Sequence, residues 1–238
     1  MKDKRTKASF VISNFSSLEE QLLACLAFLP YTAENHHVVS PRFVPIILDA
    51  CSLIDSILRD FVDQPDERTT FKRYARETEE YLELDAAFSI LLSTTLSFLN
   101  PFASWKTKVP AWWSAHNRLK HDRLNNYAEA TYETTVLALC ALHQVIARNR
   151  NWIPSLISAG WFNSDDSHFP DLMCAQHIGE GVTPINVMAV ESKLFVTPLH
   201  SNFVEFSNGQ PVVGEDCEFS PRVAAMIWAF EWHGSNQI

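Results

Sequence analysis

Glycine is missing from the first 159 residues of this 238-residue chain, and its six glycines begin only at Gly160. P-loops and Rossmann turns need glycine where the backbone closes on a phosphate, so neither nucleotide-binding class is expected, and no cofactor is expected with them. A Gly-x-Ser-x-Gly nucleophile elbow is absent as well. Cysteine is sparse and scattered. Cys25, Cys51, Cys140, Cys174 and Cys217 are odd in number and never form a Cys-x-x-Cys pair. This argues against a disulfide framework or a zinc ribbon and fits a reducing compartment. Long apolar runs are lacking too: no stretch of about 18 apolar residues appears, which predicts that no helix spans a membrane. Met1 to Lys7 carry the charge of a signal peptide's first segment, but the residues up to Leu18 supply no apolar run behind it. The expected location is therefore cytoplasmic, away from any membrane. Positive charge is also in deficit, with a formal net charge of −9, which argues against a broadly basic surface that coats nucleic acid. Any contact with RNA or DNA has to be local.

What is present is enough apolar residue, 47%, to bury a substantial core. A first helix is predicted from Ser16 or Ser17, because both have capping-box spacing to Glu19 and Glu20 and are followed by an apolar face of Leu22, Leu23, Leu26 and Ala27. It ends before Pro30. Ser40-Pro41 reads as the start of a second helix with the stripe Phe43, Ile46, Ile47, Ala50, Cys51, Ile54, Leu58 and Phe61, and with Asp49, Asp55 and Asp60 on or near its flanks. A long helical pattern spans Phe71 to Leu99 and sets Asp85 on its apolar face. A carboxylate there needs a basic partner, expected from the 116–123 segment. Beyond Asn100-Pro101, one helix carries Trp112 and Trp113, and another runs from about Ala128 to Arg148 with His143 in its core stripe.

After Asn149 the pattern shortens. A short helix is expected within 152–162, strands over 186–190, 193–197 and 203–206, a turn from Ser207 to Gln210, and a last helix over 221–232. The expected architecture is mostly α: an N-terminal segment and first helix over 1–39, an antiparallel helical bundle over 40–150, and a smaller mixed α/β C-terminal region over 151–238. Strands are expected only in that last part.

The segment His116-Asn117-Arg118-Leu119-Lys120-His121-Asp122-Arg123 places two histidines, three cations, an amide and a carboxylate in eight positions. On a helix, Asn117 and His121 fall one turn apart, as do His116 and Lys120. Imidazole transfers protons near neutral pH, an amide can fix its orientation, and Arg118, Lys120 and Arg123 can hold a phosphate. A helix N-terminus carrying such groups would favour the same ligand. Asp55 and Asp85 are the acids expected to support them.

Here the chain resembles the HEPN-domain superfamily, helical bundles whose ribonuclease members carry an arginine, often followed by asparagine, then three variable residues and a histidine. His116-Asn117-Arg118-Leu119-Lys120-His121 matches the asparagine and the final histidine, while His116 stands at the arginine position. The order of features around it, from the acidic helix through a Pro-containing loop and the Trp pair into Asn-x-x-Lys-His-x-Arg, is similar to uncharacterised bacterial members over roughly 40–148. The resemblance implies an endoribonuclease that needs no metal, with His121 assisting the ribose 2′-hydroxyl, Asn117 orienting it, and His116 at the position that polarises the phosphate. It implies an RNA substrate, a homodimer that joins two motifs, and a role as a toxin or phage-defence effector, sometimes beside an antitoxin or other defence partner.

Two other readings stay open. In one, the segment is a structural polar node paired with Asp55 and Asp85, and the protein is a catalytically silent HEPN-like binding or regulatory subunit. In the other, His36, His37, His116, His121, Asp165, Asp166 and His168 ligate a metal in a hydrolase, although none has a recognised ligand spacing.

Overall fold

The computed structural model describes residues 2–65, 70–93, 97–161, 189–198, 204–207 and 210–213. Helices dominate, and a small antiparallel sheet lies against them. The first helix, α1 (Lys2–Leu26), starts well before Ser16. Its buried residues Ala8, Val11, Ile12, Phe15, Leu18 and Leu22 keep helical spacing across the whole length. Ser16 is internal to it, and its hydroxyl donates to the Ile12 carbonyl at 3.0 Å instead of capping an N-terminus.

α2 (Phe43–Arg59) buries the expected stripe from Phe43 through Leu58. The Ser40 hydroxyl accepts from the Arg42 amide just ahead of it. α3 (Phe71–Leu82) is capped by Thr70, whose side chain accepts from the Arg73 amide. It is much shorter than the pattern to Leu99 suggests. Glu83 turns into the left-handed region at φ 49°, and the chain then forms β1 (Ser89–Leu91) and β2 (Ser97–Leu99). Strands therefore also lie within 40–148, contrary to the expectation that confined them to the C-terminal part. The physical reason is a tertiary one. A short continuous apolar run suits a buried strand as well as a helix, and the partner that decides between them, Phe195 to Val196, lies far along the chain.

α4 (Ala111–His121) and α5 (Tyr132–Arg148) follow. α5 is the central helix, packed on α1, α2, α4 and the sheet, and it is buried nearly all round. Short α6 (Ile153–Ser158) ends in a Schellman turn, with Gly160 at φ 70° and the Trp161 amide donating to the Leu156 carbonyl. β3 (Ala189–Glu191) and β4 (Phe195–Pro198) complete a four-stranded sheet in the order β2-β1-β4-β3, all antiparallel. β5 (Val204–Ser207) pairs separately with β6 (Gln210–Val213). These match the three predicted strands and the segment after the predicted turn; the helix expected over 221–232 lies outside the described residues. α1 reaches the sheet through the buried Glu19 carboxylate, which accepts from the Ser192 hydroxyl and from the Leu194 amide.

Two buried polar groups hold these layers together. Arg148, 3% exposed, donates to the carbonyls of Leu82 and Glu83 at 3.0 Å each and to the Glu83 carboxylate at 2.9 Å. A guanidinium thus takes up the carbonyls that α3 leaves open where it ends. His143, fully buried as expected, bonds Thr197 across the α5–sheet contact at 2.7 Å and stacks on Trp161. Ser89 joins the same network, contacting Thr197 and accepting from Gln144.

Burial pulls His143 from an ordinary 6.5 down to about 3. As pH falls, the unfolded chain therefore takes up this proton first, so the contribution of His143 is complete above about pH 6.5 and declines toward pH 3. The unfolding free energy from denaturant titrations should fall across that window, by at most about 1.4 kcal/mol per pH unit from this group. His143→Gln should flatten the profile, and an identical slope in that variant would contradict the assignment.

Candidate functional site

α4 enters from Pro110 with its two tryptophans turned inward. Trp112 donates to the Pro101 carbonyl at 2.7 Å, and Trp113 lies 4.5 Å from Phe71, ring centre to ring centre. Phe71, Phe102 and Trp105 surround them in an aromatic cluster that fixes the helix start. The apolar anchor decides which way the next two turns face. Ala115, His116 and Leu119 are buried, whereas Asn117, Lys120 and His121 are exposed.

His116 is 5% exposed and lies against Trp113. Its Nδ1 has no hydrogen-bond partner among the described residues. Burial lowers its pKa to about 4, Lys120 and His121 add to the shift, and Asp55 and Asn117 oppose it without reversing it. At neutral pH this imidazole carries no charge, so His116 does not supply the cation implied for the family's arginine position.

A groove of about 640 Å³ runs between α2 and α4. α2 contributes Asp49, Ser52, Asp55 and Arg59; α4 contributes Trp113, His116, Asn117 and Lys120. Thr70 and Phe71, at the start of α3, close one side. Asp55 is held by two donors, the Tyr74 hydroxyl at 2.7 Å and the Arg59 guanidinium at 2.9 Å. Burial and this carboxylate push the Tyr74 hydroxyl well above its ordinary range. Neither Asp49 nor Lys120 has a hydrogen-bond or ion-pair partner among the described residues.

The groove thus gathers His116, Asn117, Lys120 and Asp55, while the remaining predicted residues stand elsewhere. His121 is the last residue of α4, and Arg123 is exposed in the turn behind it. Arg118 is engaged on another side, where its guanidinium makes two 2.7 Å bonds to the Glu129 carboxylate. It therefore pins α4 to the turn that follows, outside the groove. Asp85 lies beyond the end of α3, and its partner is Lys106 at 3.1 Å, not a residue of the 116–123 segment. Its expected supporting role is withdrawn, because the helix that would have carried it inward stops three residues earlier. The polar motif also occupies the C-terminal half of α4, where carbonyls and not amides face outward. A phosphate there has to be held by side chains, not by a helix N-terminus.

Sequence reasoning did not single out Arg59, Ser52 and Tyr74. The Asp55–Arg59 spacing of one helical turn was the available signal. As for the metal reading, His36 pairs loosely with Glu133 at 3.9 Å, away from α4. Among the described residues no three His, Cys, Asp or Glu side chains are placed to share an ion, and Asp165, Asp166 and His168 lie outside those residues. Among the described residues no helix is long and apolar enough to cross a membrane. No family model, no curated protein and no solved structure matches this chain.

Proposed function

We propose that the outer edge of α4 binds and cleaves RNA by attack of the ribose 2′-hydroxyl on its own phosphate, with no need for a metal. The observation that carries this reading is the exposed placement of Asn117, Lys120 and His121 on one turn at the end of an anchored helix. His121 takes the 2′-hydroxyl proton as the O2′–P bond forms, and Asn117 orients it. Arg123 holds the non-bridging oxygens, and the P–O5′ bond breaks as a proton returns to the leaving oxygen. His116 stays neutral and lines the adjoining groove. In a two-fold dimer with α4 at its axis, one copy's His121 removes the proton and the other's returns it. A free effector and a toxin held by an antitoxin are both compatible with such a dimer.

The silent binding subunit is the second reading. It is favoured by the pairing of Arg59 with Asp55 and of Arg118 with Glu129, which neutralises two of the cations near the site. Incubation with RNA and with DNA of the same sequence, in excess chelator, separates the two. Cleavage of RNA alone, leaving a 2′,3′-cyclic phosphate end, is the expected result. Binding without cleavage would support the silent subunit, and cleavage abolished by the chelator would restore the metal reading.

A further inference from the structure

We infer that the α2–α4 groove is a nucleobase pocket that selects guanine beside the phosphate held at the edge of α4. The inference rests on the RNA-cleaving reading of that edge, but its chemistry comes from the groove itself. Two carboxylates, Asp49 and Asp55, face a space of about 640 Å³. Arg59 and Lys120 line it too and balance the two carboxylates, so a neutral ligand with both donors and acceptors suits the groove. Bases of single-stranded RNA are such ligands, and proteins read them on their Watson–Crick and Hoogsteen edges.

The free groups choose among the bases. Asp55 is already committed to Tyr74 and Arg59, which leaves the carboxylate of Asp49 to accept from a ligand. Guanine alone offers two adjacent donors, N1–H and the N2 amino group, to one carboxylate. Its other edge presents two acceptors, O6 and N7, and the unpartnered ammonium of Lys120 is a donor suited to them. Adenine would set its N6 amino group against that ammonium and an acceptor against Asp49. Phe71 and Trp113 supply apolar wall for the face of the ring.

The imidazole of His116 is 5% exposed, lies against Trp113 and lines the groove as neutral wall, adding no charge to it.

Calorimetric titration of the full-length protein with GMP, AMP, CMP and UMP tests the pocket, since all four carry the same phosphate. GMP should bind about 10- to 100-fold more tightly than AMP, the span that a well-made bidentate base contact gives. Asp49→Asn, a change at an exposed position, should erase that difference while the unfolding temperature stays unchanged. In RNA, cuts should fall on the 3′ side of guanosine. Guanine preference lost in Asp49→Asn supports the pocket even if no RNA is cut, in which case only the cleavage reading fails. Equal binding of all four nucleotides, or none, overturns the pocket even if RNA is cut.

Discussion

Replacing His121 by alanine should lower RNA cleavage about 10²- to 10⁴-fold, the usual contribution of a positioned acid–base group, with no loss of thermal stability. Both halves of that result are needed. His121 is exposed at the last residue of α4, so its removal opens no cavity and orphans no buried group. His116 differs from it in both respects. Buried against Trp113, it helps seat the helix, and a substitution there should reduce activity and stability together. Cleavage by His121→Ala within about threefold of the parent would falsify the assignment of the proton-transfer step to α4.

Arg148→Met is expected to be the most destabilising single change among the polar residues. It removes the donors for two buried carbonyls and a carboxylate, so the cost should be about 3 kcal/mol or more. In a chain of this size, that lowers the melting temperature by roughly 6–12 °C. Methionine keeps much of the side chain's bulk, so the loss reports mainly on the hydrogen bonds. Arg148→Lys should fall in between, because one ammonium cannot reproduce the fork that reaches Leu82 and Glu83 together. A drop of less than about 2 °C for the methionine variant would show that the end of α3 is held by other contacts.

The elements whose apolar periodicity is satisfied locally were legible in the sequence. α2, α4 and α5 fall close to where their stripes predict, and the C-terminal strands lie within a few residues of theirs. Where local and long-range signals compete, the local reading fails. Ser16-Ser17 has the spacing of a capping box, but the stripe from Ala8 to Phe15 carries the helix straight through it. The run after Asp85 reads locally as a continuation of the helix, and its fate is decided instead by β4 and by Arg148, neither adjacent in sequence. The polar cluster of α4 was conspicuous because cores seldom look like that. What the spacing could not convey was which of its members face inward. The Trp112–Trp113 anchor decides that, burying His116 and leaving Asn117 and His121 outside. Asp55 was visible as a flank residue, and Arg59 became meaningful only once α2 and α4 were known to face each other across the groove.

The pairing of β1 with β4 carries a consequence for how the chain is made. Ile90 is hydrogen-bonded into the sheet opposite Val196, so during vectorial synthesis the helical body leaves the ribosome with an open strand edge. At about 5–20 residues per second that edge waits several seconds for its mate. Contacts so distant along the chain are slow to form, and an unpaired edge is a template for pairing with other nascent chains. The β3–β4 hairpin is thus a closing piece for the whole body, and premature termination before Phe195 leaves a product prone to aggregate.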